Sequence, residues 1–321
     1  MKKIVCIVLA MMLAFASFAL AEGANVSITT GRPTEKGATT MVVQMDNEPK
    51  ARPQKGIASA DVVYEIELYK GGYTRYTAVF NDNIPDQIEA IRSARIVNAD
   101  IYADYNGAFV HFGGQKYEGS NVYEYFNTLS IGARYDGITG MREFYRDSSR
   151  SAPNNVVCKL RELYDKTDWA SITCRSPLKF KAAAEVPEGE DVVNFAINYR
   201  DGKYSPSYIW DPATFKYNRF YNGNPYVDGL TGEQVTCDNV IVQSVEYGWY
   251  NKKGDAPRVT TVGTGRCEYF IGGKHFSGSW RRDSIDQNTV YLDEAGNEVY
   301  FNPGVTFIQI LTSEKSVDIL G

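Results

Sequence analysis

Residues 61–80 read DVVYEIELYKGGYTRYTAVF, and residues 91–115 read IRSARIVNADIYADYNGAFVHFGGQ. In the first stretch Val62, Tyr64, Ile66 and Leu68 fall on alternate positions with Glu65 and Glu67 on the other face, the period of a strand. Lys70-Gly71-Gly72 supplies a turn and the alternation resumes from Tyr73 to Phe80, so a β-hairpin is expected. With all three turn residues in the loop, Tyr69 faces Tyr73 and Glu67 faces Arg75, a register that pairs opposite charges. In the second stretch a Ser93 cap predicts a helix to about Tyr105, stopped by Gly107. The uncharged run from Ala108 then reads as a buried strand ending at His111 and the Gly113-Gly114 pair, where glycine allows a ligand close to the backbone.

Outward from this centre, Met41 to Met45 reads as a further short strand, halted by Asp46-Asn47, Pro49 and Pro53. A helix is expected after Ser120 and another over 156–166, where Val156, Leu160, Leu163 and Tyr164 form an apolar stripe. Arg142, Arg146 and Arg150 are spaced by four, yet Ser148, Ser149, Ser151, Pro153, Asn154 and Asn155 argue for a turn by the end of that run. Residues 185–191 contain Pro187 and Gly189 among acidic side chains and read as a linker. Beyond it, Asn222-Gly223, Asp228-Gly229 and Gly272-Gly273 punctuate short Val-, Ile- and Tyr-rich runs, the pattern of a mostly β half. The expected fold is therefore an α+β or α/β N-terminal domain over 41–184 and a smaller, mostly antiparallel β C-terminal domain over 192–321. An exposed lead-in over 22–40 precedes them.

At 321 residues and 43% hydrophobic content the chain is long enough for two cored domains. Lys2-Lys3, the apolar run from Ile4 to Leu20 and Ala19-Leu20-Ala21 form the pattern of a cleaved signal peptide over 1–21, the alternative being a retained membrane anchor. Cleavage predicts a secreted protein with no stable membrane insertion. Cys6 lies deep in the apolar run, so it cannot become the acylated first residue of a lipoprotein. Without Lys2 and Lys3 the chain keeps 32 basic and 39 acidic side chains, a balance that disfavours nucleic acid. Cys158, Cys174, Cys237 and Cys267 remain, compatible with disulfides 158–174 and 237–267 or with four free thiols. No cysteine and histidine cluster predicts a metal, and no motif calls for a cofactor.

For nucleophilic chemistry there is no GxSxG elbow, no SxxK and no cysteine near a histidine in sequence. The residues that invite a site are basic. Arg75, Arg92, Arg95, Arg146 and Arg150 could converge on a carboxylate or phosphate, with Gly113-Gly114 adding backbone donors, or could pair with Asp61, Glu65, Glu67 and Asp147 to hold the domain together. His111 has the placement of a general base with Glu65 as acid or orienter, or of a structural histidine bonded to a carbonyl. The favoured reading is a binding module, with ligand contacts from Asn47, Arg52, Gln54, Arg75, Arg92, Ser93, Arg95, His111, Gly113, Gly114, Arg146, Arg150 and Asn154. An envelope hydrolase or transferase using His111 and Glu65 is the alternative, and a scaffold is the third.

Short motifs in one order carry a resemblance: Asp46-Asn47 with Ala51-Arg52-Pro53-Gln54, Ala60 to Glu65, Gly71 to Arg75, Arg92-Ser93-Ala94-Arg95, His111 to Gly114, Arg146 to Pro153, Asn239 to Gln243, Gly278-Ser279-Trp280 and Asn302-Pro303-Gly304. From about Met41 to Leu311 the chain resembles the YerB-like family, a domain family of unknown function named for bacterial lipoproteins. The resemblance implies an N-terminal α/β part, a C-terminal β part and a place in the cell envelope. It brings no activity; the expected partner, an anionic small molecule, a cell-envelope component or a protein tail, comes from the arginine-rich reading of the residues. The chain departs from the family pattern in lacking a lipobox, in reading Pro153-Asn154-Asn155 where Pro-His-Asn is usual, and in placing Gln115 where a serine commonly follows the glycines.

Overall fold

Val62–Tyr69 and Tyr73–Phe80 form the expected hairpin, and every other element of the centre is built around it. The computed structural model describes residues 25–71, 73–199 and 205–321, so the predicted signal peptide over 1–21 lies outside the described residues. The hairpin keeps the Tyr69–Tyr73 pairing, but the register shifts between Glu67 and Tyr69, so that Thr74 faces Glu67 and Arg75 faces Ile66. The predicted Glu67–Arg75 pairing is thus corrected. One extra residue on the first strand forms a bulge, which turns Arg75 to the opposite face of the sheet from Glu65 and Thr74.

The hairpin lies in the middle of an 11-stranded sheet. On one side Met41–Asp46 pairs antiparallel with Tyr73–Phe80, followed by Ala108–His111 and Ala133–Asp136, both added in parallel. On the other side Val62–Tyr69 pairs in parallel with Thr306–Thr312, which pairs with Asn239–Val245 and leads to Gly263–Ile271 and Lys274–Arg282. The C-terminal half, expected as a β domain of its own, shares one sheet with the first half. The parallel register from Val62 opposite Thr306 to Ile66 opposite Ile310 joins them through backbone hydrogen bonds.

Both faces of the sheet are covered. Val62, Tyr64, Ile66 and Leu68 face a core with Val97, Ile101 and Tyr102 of the helix Ile96–Ala103 and with Val122 and Phe126 of the helix Val122–Phe126. Met41, Val43, Val63, Tyr76 and Ala78 face a second core. That core contains Leu160 and Leu163 of the helix Leu160–Lys166 and side chains such as Phe195, Tyr208 and Tyr217 from a six-stranded antiparallel sheet. Strands buried on both faces explain why the runs at 41–45 and 108–112 look continuously apolar.

Three local expectations are revised. The helix begins at Ile96, where Asn98 Oδ1 accepts from Arg95 N at 2.8 Å, while Ser93 Oγ instead donates to Phe112 O at 3.0 Å. Val156–Cys158 is a strand and only Leu160–Lys166 is helical, because Val157 and Cys158 complete a ladder with Ile88–Glu89. The lead-in is not merely exposed: Ser27, Thr29, Thr30 and Thr40 are buried, and Thr29 Oγ1 donates to Asp61 at 2.8 Å. Cys158, Cys174, Cys237 and Cys267 are all free, so neither candidate disulfide forms.

Candidate functional site

The bulge that turns Arg75 over brings it beside Arg95, the residue that opens the helix Ile96–Ala103. Arg75 donates to Ser93 O at 3.1 Å and to the Tyr69 hydroxyl at 2.7 Å. Arg95 reaches the same two acceptors, Ser93 O at 3.4 Å and the Tyr69 hydroxyl at 3.5 Å, and adds Ala94 O at 3.2 Å. Both are at least nine-tenths buried, and the Nε of each has no hydrogen-bond partner. Burial lowers the affinity of both guanidiniums for their proton, and for Arg95 the neighbouring Arg75 adds to the effect and brings it down to about 10. Both stay charged at neutral pH.

Arg92, next along the chain, is in a different condition. Its Nε lies 2.9 Å from Asp46 Oδ2 and a terminal nitrogen 3.3 Å from Glu48 Oε1. Asn154 supports the same carboxylates, donating to Asp46 Oδ2 at 2.7 Å and towards Glu48 Oε2 at 3.4 Å. Asp46 and Glu48 are thereby occupied. Among the described residues no carboxylate comes within ion-pair distance of Arg75 or Arg95.

Glu65 stands on the other face of the sheet and is fully buried. Its Oε2 pairs with Arg219 at 2.6 Å, and its Oε1 accepts from Asn47 Nδ2 at 2.9 Å and Thr74 Oγ1 at 2.7 Å. Arg219 is itself completely enclosed, donates to the Tyr76 hydroxyl at 3.0 Å and lies 4.3 Å from the centre of the Tyr226 ring. Arg52 and Gln54 extend this network, not the arginine pair. Arg52 bonds Asn47 Oδ1 at 3.0 Å over the ring of Tyr221, and Gln54 donates to Asp46 O at 2.7 Å and accepts from the Tyr226 hydroxyl.

His111 is enclosed by Phe109, Phe126 and Tyr123, and its Nδ1 donates to Gly113 O at 2.8 Å. Burial lowers its pKa against the opposing pull of Asp136, so the ring is neutral. As a candidate general base it is corrected: the ring has no exposed surface, and Phe109 and Val63 place His111 and Glu65 on opposite sides of the sheet. Gly113 N, expected as a ligand donor, is taken by Asp136 Oδ1 at 2.7 Å, and Gly114 lies close against Val122 and Tyr123. Arg146 bonds Asn155 at 2.7 Å in the strand Phe144–Arg146, and Arg150 donates to Ala51 O and Pro53 O at 2.7 and 2.8 Å. Of the expected set, then, Arg75, Ser93 and Arg95 converge with Arg92 alongside, whereas Arg52, Gln54, Arg146, Arg150 and His111 serve elsewhere.

Tyr69, Asp46 and Glu48 went unread as site residues. Tyr69 is the last residue before the turn and so the natural neighbour of whatever the hairpin end presents, but only the bulge reveals that it meets arginine. Arg219 had no sequence signal, since it occupies an inward position of an ordinary alternating strand. Among the described residues no group of three or more His, Cys, Asp or Glu side chains is placed to hold a metal, and no helix is long and apolar enough to cross a membrane.

Comparison with known proteins agrees with this two-part layout. Residues 29–173 match the N-terminal domain, and residues 195–308 the C-terminal domain, of a family described as protein of unknown function (DUF3048). "Putative lipoprotein YerB" of Bacillus subtilis (strain 168) is 25% identical over 302 residues, spanning 90% of this chain and 87% of that protein. The crystal structure of YerB from Bacillus subtilis has the same fold, with a TM-score of 0.78 at 22% identity over 92% of this chain and 99% of that one. With both domains matched in order and across most of its length, the chain belongs to the DUF3048 family, the family of YerB.

Proposed function

We propose that the protein is a binding module of the cell envelope that seats the acid group of its ligand on Arg75 and Arg95. The observation that carries this reading is a pair of buried guanidiniums side by side, sharing Tyr69 and Ser93 as neutral acceptors with no carboxylate at ion-pair distance among the described residues, while Asp46 and Glu48, which act on Arg75 only from further off, are in contact with Arg92. Burying one charge without a partner is costly, and burying two of the same sign more so. A bound carboxylate or phosphate relieves both at once through charge-assisted hydrogen bonds. Half-buried Tyr69 and Ser93 mark the side from which such a group approaches. The export pattern of residues 1–21 and the lipoprotein name of YerB support an extracytoplasmic location.

Titration with acetate, citrate and inorganic phosphate, followed by NMR, tests the reading. Arg95→Gln is expected to weaken anion binding by about 1–3 kcal/mol, the worth of a charge-assisted bond, with the melting temperature little changed. Equal binding by the parent and Arg95→Gln, or no binding by either, overturns it.

A further inference from the structure

Three loops surround the arginine pair, and one of them comes from the C-terminal domain. Lys70 N, in the hairpin turn, donates to Gly254 O at 2.8 Å, and Gln115 Nε2 donates to Asp255 O at 3.1 Å. The segment 250–255 is thus tied both to the turn after Tyr69 and to the residue that follows Gly113-Gly114. Gln115 N in turn bonds Ala94 O, immediately before Arg95.

The side chains on this rim are of a particular kind. Tyr117 is 46% exposed and lies within electrostatic reach of Arg95. Lys253, exposed and paired with Asp255 at 2.8 Å, lies within the same reach of Tyr117 and Tyr69. The Tyr69 hydroxyl receives bonds from both arginines, which leaves its own O–H to donate. Gln115 is 5% exposed, and its Oε1 is a buried acceptor without a partner.

These features ask for more than an anion. A bare carboxylate offers only acceptors, which suit the arginines and Tyr69 but leave Gln115 Oε1 unmatched, and inorganic phosphate, although it carries an O–H, offers no ring face. A hydroxyl group matches it. Tyr117, exposed two residues beyond Gln115, adds a flat face with a polar tip, fit for the C–H face of a hydroxylated ring. We infer that the ligand is an acidic saccharide: its acid group lies on Arg75 and Arg95, a hydroxyl donates to Gln115 Oε1, and its ring packs on Tyr117. This rests on the anion-binding reading of the arginine pair.

The test compares glucuronic acid with glucose, which lacks the acid, and acetate, which lacks the ring, each titrated by NMR into the parent, Tyr117→Ala, Gln115→Leu and Arg95→Gln proteins. Glucuronic acid is expected to bind at least tenfold more tightly than either comparison compound. Tyr117→Ala and Gln115→Leu should each lower its affinity severalfold while acetate changes less than twofold, and Arg95→Gln should weaken both acids. If acetate matches glucuronic acid and only Arg95→Gln has an effect, the saccharide inference fails and the anion site stands. If glucuronic acid binds and Arg95→Gln leaves it unchanged, or if neither acid binds, the anion site fails as well.

Discussion

Asp61 takes three hydrogen bonds on one oxygen, from Thr29 Oγ1 at 2.8 Å, Asn81 N at 2.7 Å and Asp82 N at 3.0 Å. Those bonds favour the carboxylate, yet burial, with Asp82 adding repulsion, pushes it up to about 7 from an ordinary 3.8. The folded state therefore holds this proton more tightly than the unfolded chain. Its contribution to stability is complete below about pH 4 and is lost as pH rises through about 7. We expect the melting temperature of the parent to fall relative to that of Asp61→Asn between pH 4 and pH 8. A constant difference across that range would show that Asp61 is ionised in the fold. The same carboxylate anchors the segment around Thr29 to the hairpin, a contact that the polar composition of residues 22–40 did not reveal.

The strand Val62–Tyr69 has a different neighbour on each face, and its inward acid, Glu65, meets Arg219 from the strand Lys216–Tyr221 of the other domain. Neither side chain has any exposed surface. Such a pair adds little over a well-packed apolar pair, but removal of one partner strands the other charge. Arg219→Met is expected to cost about 3–5 kcal/mol in urea unfolding, with much of that recovered in the Glu65→Leu, Arg219→Met double variant. If the double loss equals the sum of the single losses, the two charges are not coupled. The bulge beside Glu67 has a consequence on the same strand, since it separates the Glu65 network from the arginine pair. No alternation of side chains predicts a bulge, because it depends on how the whole hairpin is gripped by its neighbours.

The two domains meet edge to edge within one sheet and are also joined by the Glu65–Arg219 pair and by Tyr199, whose hydroxyl donates to Glu65 O at 2.8 Å. The connection between them is nonetheless on the surface, with Val186 56% exposed. Limited proteolysis is expected to cut near 185–189, and the two fragments should stay together on size exclusion until denaturant is added. Fragments that separate in native buffer, each still folded, would show that the shared ladder contributes little. The exposed link was legible as an acidic, Pro- and Gly-containing stretch, but the sheet across the boundary was not, because it pairs residues more than two hundred positions apart.

Local pattern by itself determined a good deal: the hairpin of residues 61–80, the strand ending at His111 and the turn-rich β character after residue 192. Each depends on side-chain period or turn chemistry within a few residues, which the chain carries wherever it folds. Tertiary structure alone decided which charges are compensated. Among the described residues Arg92 and Arg219 found carboxylates at ion-pair distance and Arg75 and Arg95 did not, because one bulge and one long-range parallel pairing set which side chains share a face, and an ion pair depends on distance in space.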